Sequence, residues 1–240
     1  MPEDDARPSG AKTWEVVVGW VEERILDGRL VRGSILPAER ELATQLGVSR
    51  AAVREGVRTL QASGVLCPNV GAGATGGTMV AGEPHVALTR MLRMHVALAN
   101  FPARDVTQVR VVLERLSTSL ACAHADDGAR ARMREALNAM DDDELTRKEF
   151  NRFDTGFHVA IARAAGNRLA TDLTVAIRES MRQPIMRGFD EVADWHLLRS
   201  QLRSQHHALM SAIDARSAAE AADLVEHHIW SAYEAMPRLH

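Results

Sequence analysis

The chain has 240 residues, 46% hydrophobic and 25% charged, with a formal net charge of −3, which excludes a generally basic nucleic-acid coat and confines any DNA contact to a local patch. That length accommodates two domains, each with its own core. Two cysteines, Cys67 and Cys122, exclude a disulfide framework, and the absence of a run of about 18 apolar residues excludes a spanning helix, so a cytoplasmic protein with no membrane partner is expected.

Residues 1–11, beginning MPEDDARPSG, are acidic and turn-rich, carry no secretion signal and are expected to be disordered. Residues 12–27 follow with a helical stripe of Val16, Val17, Trp20, Val21 and Ile25, ended by Gly28. Residues 30–36 read as an extended link with a turn at Gly33. Next comes LPAERELATQLGVSRAAVREGVRTLQASG, residues 36–64. Pro37 is expected in the first turn of a helix carrying Leu42, Ala43 and Leu46. Gly47 suits the left-handed residue ending that helix, and Ser49 suits the N-cap of the next. Val53, Val57 and Leu60 give the second helix an apolar face, closed by Gly64. Ala43, Gly47 and Val53 supply a small crossing residue, a turn and a plug. This is the pattern of a helix-turn-helix, whose second helix enters the major groove of duplex DNA.

Arg50, Arg54 and Arg58 recur every four residues on one face of that second helix, with Glu55 as the nearby acid. Arginine suits guanine edges and phosphates through bidentate donation. Behind the helix, Val65–Leu66 and Thr78–Val80 read as two strands joined by a glycine-rich loop, a wing without Lys or Arg. The loop lacks the G-K-[ST] of a phosphate-binding loop.

From about residue 85 glycine becomes rare and helical periodicity runs to the end. Helices are expected near 84–99, 103–124, 128–141, 146–165, 167–184, 190–214 and 217–235, with a break at Pro184. The scarcity of aromatics, 4%, leaves the core to Leu, Val, Ile, Met and Ala, which favours helices. The expected fold is therefore mainly α: an N-terminal winged helix-turn-helix over 12–82 and a C-terminal all-α helical bundle over 83–240.

The second half carries polar residues inside apolar stripes. Asp154 and His158, i and i+4, share the stripe of Phe150, Phe153, Phe157 and Ile161. His206 shares the inner face of Leu202, Leu209 and Ile213, while His207 is turned aside. His228 continues the stripe of Ala221, Leu224 and Val225, while His227 aligns with Glu220 and Asp223 on the wet face. One carboxylate and three imidazoles thus point inward from three helices. Either they are separate core residues, or they form a site for a divalent transition metal, with zinc, nickel, manganese or iron favoured over calcium. No inward Glu or Asp beside the set offers itself as a general base.

On these residues the chain resembles GntR-family transcriptional regulators of the FadR-like group, with a C-terminal domain of FCD type. The N-terminal resemblance rests on Leu36-Pro37-Ala38-Glu39-Arg40-Glu41-Leu42-Ala43, Leu46-Gly47-Val48-Ser49-Arg50 and Val53-Arg54-Glu55. The C-terminal resemblance rests on Arg110 with Glu114, Asp154 with Phe157-His158, Gly166-Asn167, and His206 with His228. It implies a winged helix-turn-helix bound to DNA as a homodimer, with contacts at Arg40, Ser49, Arg50 and Arg54; Arg58 joins them by its place in the row, and a repressor on a pseudo-palindromic operator is the expected function. It further implies a metal, zinc first and nickel or manganese next, on Asp154, His158, His206 and His228, and a small carboxylate effector near Arg110. Arg110 reads equally well as an ordinary ion pair with Glu114. Ala51 and Ala52 stand where members often carry groove-reading polar residues, and Gly56 replaces a common alanine at a cost of about 1 kcal/mol. A metal-dependent enzyme acting on an organic acid, fused to a DNA-binding head, is the competing class; the expectation is that the protein is not an enzyme.

Overall fold

A computed structural model describes residues 12–69, 77–81 and 85–239, the side chain of residue 238 apart. The expectations for residues 1–11 and for the glycine-rich wing loop lie outside the described residues. The chain divides between Ala87 and Leu88 into two compact units. The change of sequence character at 82–83 lies just before this division. Ala87 stays with the first unit because it packs on Gly64, where a Cβ would sit 2.7 Å from the Ala87 Cβ.

The first unit contains α1 (Thr13–Leu26), α2 (Glu39–Leu46), α3 (Arg50–Ala62) and the antiparallel strands β1 (Leu66–Asn69) and β2 (Gly77–Val80). The strands pair in the register Leu66 with Val80 and Asn69 with Gly77. The 33–36 segment, which the sequence presents as a link, adds to the other edge of β2. Leu36 N–H donates to Thr78 O at 2.8 Å and Val80 N–H donates to Ser34 O at 2.9 Å. Val17, Val21, Leu42, Val53, Leu60 and Leu66 form this unit's core.

Pro37 does not occupy the first turn of α2. The N-cap is Ala38, in extended conformation at ψ 145°, so Pro37 stands one residue before the cap and fixes the approach of the chain. Gly47 takes the left-handed conformation at φ 64° and ends α2. The Ser49 side chain accepts from Ala52 N–H and starts α3. Gly56 is a close-approach residue rather than a mere cost. A Cβ there would lie 2.8 Å from Val17 Cβ and 3.0 Å from the Trp14 carbonyl oxygen, so only glycine lets α1 and α3 cross at this distance.

The second unit is all helical. Its elements are α4 (His85–Ala97, most of it here), α5 (Ala103–His124), α6 (Asp127–Ala139), α7 (Arg147–Ala164), α8 (Arg168–Glu191), α9 (Trp195–Asp214) and α10 (Ala218–Glu234). α5 packs along α10 and also meets α7, α8 and α9. Phe150, Phe157, Ile161, Leu209, Ile213 and Ile229 are almost wholly buried at its centre.

The expected break at Pro184 is absent, and α8 runs through it to Glu191. A proline inside a helix removes one backbone donor. Packing beyond it holds the next turns in place: Phe189 is buried against the Trp195 ring at 4.8 Å, and Gly188 lies against Met236. The true break comes at 192–194, where the Asp194 side chain accepts from Leu197 N–H and starts α9.

Candidate functional site

Periodicity puts four donor-bearing side chains on the inner faces of α7, α9 and α10, and the folded chain brings them together. His158, His206 and His228 are buried, and the side chain of Asp154 is 13% exposed. One ligand atom from each of the four residues lies within 4.8 Å of every other. His206 Nε2 is 3.0 Å from Asp154 Oδ1, and the Nε2 atoms of His158 and His228 are each 3.8 Å from that same oxygen. His158 Nε2 and His206 Nε2 are 3.2 Å apart. Metal–nitrogen and metal–oxygen bonds of about 2.1 Å arranged tetrahedrally separate neighbouring ligands by roughly 3.4 Å. The observed spacings bracket that value.

The donor chemistry fits a cation as well as the spacing does. The His228 Nδ1–H donates to Gln205 Oε1 at 2.9 Å, which leaves Nε2 with its lone pair facing the cluster. His158 Nδ1 lies 2.6 Å from Glu114 Oε2, a close contact angled off the ideal N–H···O line. Two neutral nitrogens with converging lone pairs beside a carboxylate repel one another, and a divalent ion relieves that repulsion. The cluster can therefore hold a metal ion.

A second ring of charge surrounds the four residues, and helical phase alone reveals only part of it. Glu114 on α5 is 3% exposed and is an inward acid beside the set, where none was expected. It accepts from Arg110 Nε at 2.7 Å, from Arg178 Nε at 2.9 Å and from Arg178 Nη2 at 2.7 Å. Arg178 Nη1 then reaches Asp154 Oδ2 at 3.0 Å. With both oxygens of its carboxylate engaged by guanidinium groups, Glu114 is no free base. Arg178 shares its face of α8 with Thr174 and Met181, all buried, so the signal for it is the same as that for the histidines. Arg110 makes the ion pair with Glu114 that is one of its two readings. Its terminal nitrogens form no hydrogen bond among the described residues, and its charge reaches Asp154 and His228.

This setting shifts the ionisation of its members. Burial pushes the Asp154 and Glu114 carboxyls up. The His206 hydrogen bond and the Arg178 charge at Asp154, and the Arg178 and Arg110 charges at Glu114, outweigh burial and hold both well below the usual carboxylate range. Burial, aided by the Arg178 charge, lowers His158 to about 4. Burial and the neighbouring His206 and His158 hold His228 well below its ordinary value. His158 and His228 are thus neutral at neutral pH, the state a metal ligand requires.

In the first unit the expected nucleic-acid face is open. Arg40, Ser49, Arg50, Arg54 and Arg58 are all exposed. Ala51 is exposed, but Ala52 is buried in the core and is not a groove-facing position. Glu55 is not the acid that matters to the row: Arg54 Nε donates to Glu39 Oε2 at 2.7 Å, from the first turn of α2. His207 is exposed and bonded to Asp141, and His227 is exposed, as their helical phases require. No helix among the described residues is long and apolar enough to cross a membrane.

Comparison with known proteins bears on both units. Residues 13–75 match the profile described as bacterial regulatory proteins, gntR family, and residues 105–230 match the FCD domain. The Glc operon transcriptional activator of Escherichia coli K12 is 28% identical over 215 residues, covering 88% of this chain and 82% of that protein. The galactonate operon transcriptional repressor of the same organism is 28% identical over 207 residues, covering 84% and 86%. Among solved structures, Streptococcus agalactiae GntR is similar with a TM-score of 0.63 at 21% identity, covering 91% of this chain and 97% of that one. The two relatives are regulators of transcription rather than enzymes, and they include both an activator and a repressor.

Proposed function

The chain belongs to the gntR family of bacterial regulatory proteins and carries an FCD domain, and from that premise we propose a DNA-binding transcriptional regulator whose helical unit senses a small carboxylate through a bound metal. Arg50, Arg54 and Arg58 on α3, with Arg40 and Ser49, are the groups that meet operator DNA. Two copies present paired α3 helices to a pseudo-palindromic site, with half-sites about 34 Å apart or a multiple of that. The metal is held by Asp154, His158, His206 and His228. Three imidazoles and one carboxylate favour zinc, with nickel or manganese next. The ion offers an organic acid a Lewis-acid partner, and Arg110 supplies a guanidinium with uncommitted terminal nitrogens. One relative's name ties it to galactonate, a sugar acid, which supports a carboxylate effector. Such a regulator of soluble metabolites works in the cytoplasm.

The observation that carries this reading is the convergence of four donor atoms, one each from Asp154 and three buried histidines, within 4.8 Å. The test is a thermal-shift series on the full chain, stripped with chelator and then reloaded with Zn²⁺. A panel of 2-hydroxy acids and dicarboxylates is added in both states. Stabilisation by one acid only in the loaded state supports the reading, by mass action on the folded form. A parent protein that takes up no ion, or a His206→Ala variant that binds Zn²⁺ and acid like the parent, overturns it.

A further inference from the structure

A histidine ligates through one ring nitrogen, and the proton on the other nitrogen decides whether the ligating lone pair is free. The three imidazoles differ in what holds that proton. His228 Nδ1–H meets Gln205 Oε1 at 2.9 Å. The Gln205 amide is itself oriented, because its Nε2 donates to Ser231 Oγ at 3.0 Å while Ser231 Oγ donates to the His228 carbonyl at 3.1 Å. His158 Nδ1 faces Glu114 Oε2 at 2.6 Å. Glu114 is pinned by Arg110 and Arg178 and has only acceptor oxygens to offer. Neither His158 Nδ1 nor His206 Nδ1 makes an in-line hydrogen bond among the described residues, but His206 is different: no carboxylate stands beside its Nδ1 as Glu114 does beside that of His158, and its Nε2 lies 3.0 Å from Asp154 Oδ1.

We propose that Glu114 and Gln205 are positioning residues of this centre, each holding the proton on Nδ1 of its histidine, and that His206 alone changes tautomer when the ion enters. The inference rests on the metal reading of the site. With the ion absent, His206 Nε2–H is shared between Asp154 Oδ1, 3.0 Å away, and the His158 Nε2 lone pair, 3.2 Å away. Coordination needs that nitrogen bare, so one proton leaves Nε2, one arrives at Nδ1, and the net proton count of the ring is unchanged. His158 and His228 need no such change because their lone pairs already face inward. The centre is two-thirds preset by its surroundings, and its remaining ring is the one that moves a proton.

The test is ¹⁵N–¹H long-range correlation spectroscopy on histidine-labelled full-length protein, stripped and then loaded with Zn²⁺, alongside Zn²⁺ affinity by chelator competition. In the stripped parent, His158 and His228 should carry Nδ1–H and His206 Nε2–H, and only the His206 pattern should invert on loading. Gln205→Leu removes an acceptor from a partly exposed side chain. It should lower Zn²⁺ affinity about 10- to 100-fold and mix the His228 tautomers. Gln205→Glu keeps the acceptor and should restore both. Glu114→Met, which removes the acceptor facing His158 Nδ1, should lower Zn²⁺ affinity and mix the His158 tautomers in the same way. Should that variant fail to fold, Gln205→Leu still decides the matter. Nε2–H on His228 in the stripped parent, or parental Zn²⁺ affinity in Gln205→Leu, overturns the proposal. If the parent takes up no Zn²⁺, the metal reading falls, and the stripped tautomer pattern still judges the two positioning residues separately.

Discussion

The two units use charge in opposite ways. In the first, cationic side chains stand in water on one face of α3, each on a flexible stem. In the second, Arg110, Arg178, Glu114 and Asp154 are locked in a buried lattice of hydrogen bonds around three imidazole rings. An exposed charge loses little by being unpaired, so a row of them can await a polyanion. A buried charge without a partner is costly, so every member of the inner set must be matched. The contrast predicts that single substitutions in the head change binding and spare the fold, while those in the tail change both.

The largest effect is expected at the inner ligands. His206→Ala should weaken Zn²⁺ binding by more than about 100-fold, since a direct ligand matters more than the outer groups whose loss costs 10- to 100-fold. Chelator competition measures it. Binding of the variant to a DNA pool at low salt should be unchanged. If DNA binding fell in step with metal binding, the separation of the two roles would be wrong.

Next in size is the outer row. Arg50→Ala or Arg54→Ala should cost about 1–3 kcal/mol in operator affinity, read by titration of labelled duplex at fixed salt. Melting temperature should stay within the scatter of surface substitutions. A loss of stability as large as the loss of affinity would show that the row is structural.

The inner set also makes the metal-free protein sensitive to acid. His158 titrates at about 4 in the folded chain against 6.5 for the free side chain. The unfolded chain therefore binds the proton first as pH falls. Stability present above pH 6.5 drains away between there and about 4, by roughly 3 kcal/mol from this group alone. Asp154 and Glu114, held below the usual carboxylate range, shift the balance the same way at still lower pH. Urea unfolding of stripped protein at about pH 7 and about pH 5 should show the drop. His228, also held well below its ordinary value, pulls in the same direction, so His158→Gln should reduce this pH dependence without abolishing it, and an unreduced slope would assign it elsewhere.

How much of the molecule is legible in its sequence follows from what periodicity can carry. Helical phase puts Asp154, His158, His206 and His228 inward and His207 and His227 outward, because one stripe per helix must be buried. Phase says nothing about which stripes meet, so the Glu114–Arg178–Asp154 connection across three helices is not readable from one of them. Gln205 carries a weaker signal, since a long polar side chain at the edge of a stripe usually reaches water. Pro184 and Gly56 mislead for a shared reason. Local propensity assigns each a cost, and tertiary contact overrides it: Phe189 and Gly188 anchor the helix beyond the proline, and Val17 needs the missing methyl at 56. Gly56→Ala should accordingly destabilise by about 1–3 kcal/mol despite alanine's better helix propensity. Chemical denaturation of the parent and variant distinguishes the two readings by sign.

The smallest effect tests the boundary between the two uses of charge. Glu39 and Arg54 form the head's counterpart of the inner ion pairs, 2.7 Å apart but with side chains 42% and 53% exposed. Water screens that pair, so Glu39→Gln should change stability by less than about 1 kcal/mol, against several for a comparable cut in the buried lattice. Its consequence should fall on DNA instead. Glu39 withdraws one guanidinium nitrogen of Arg54 from any phosphate or base and places a negative charge beside the row. Removing that charge should raise non-specific affinity for duplex and steepen its dependence on salt, by up to about one counterion. Operator discrimination should fall at the same time if the pair also fixes the direction of Arg54. Titration of specific and random duplexes at three salt concentrations separates these outcomes. A variant with unaltered salt slope but clearly reduced stability would place Glu39 and Arg54 with the inner set, as a structural pair that happens to be exposed.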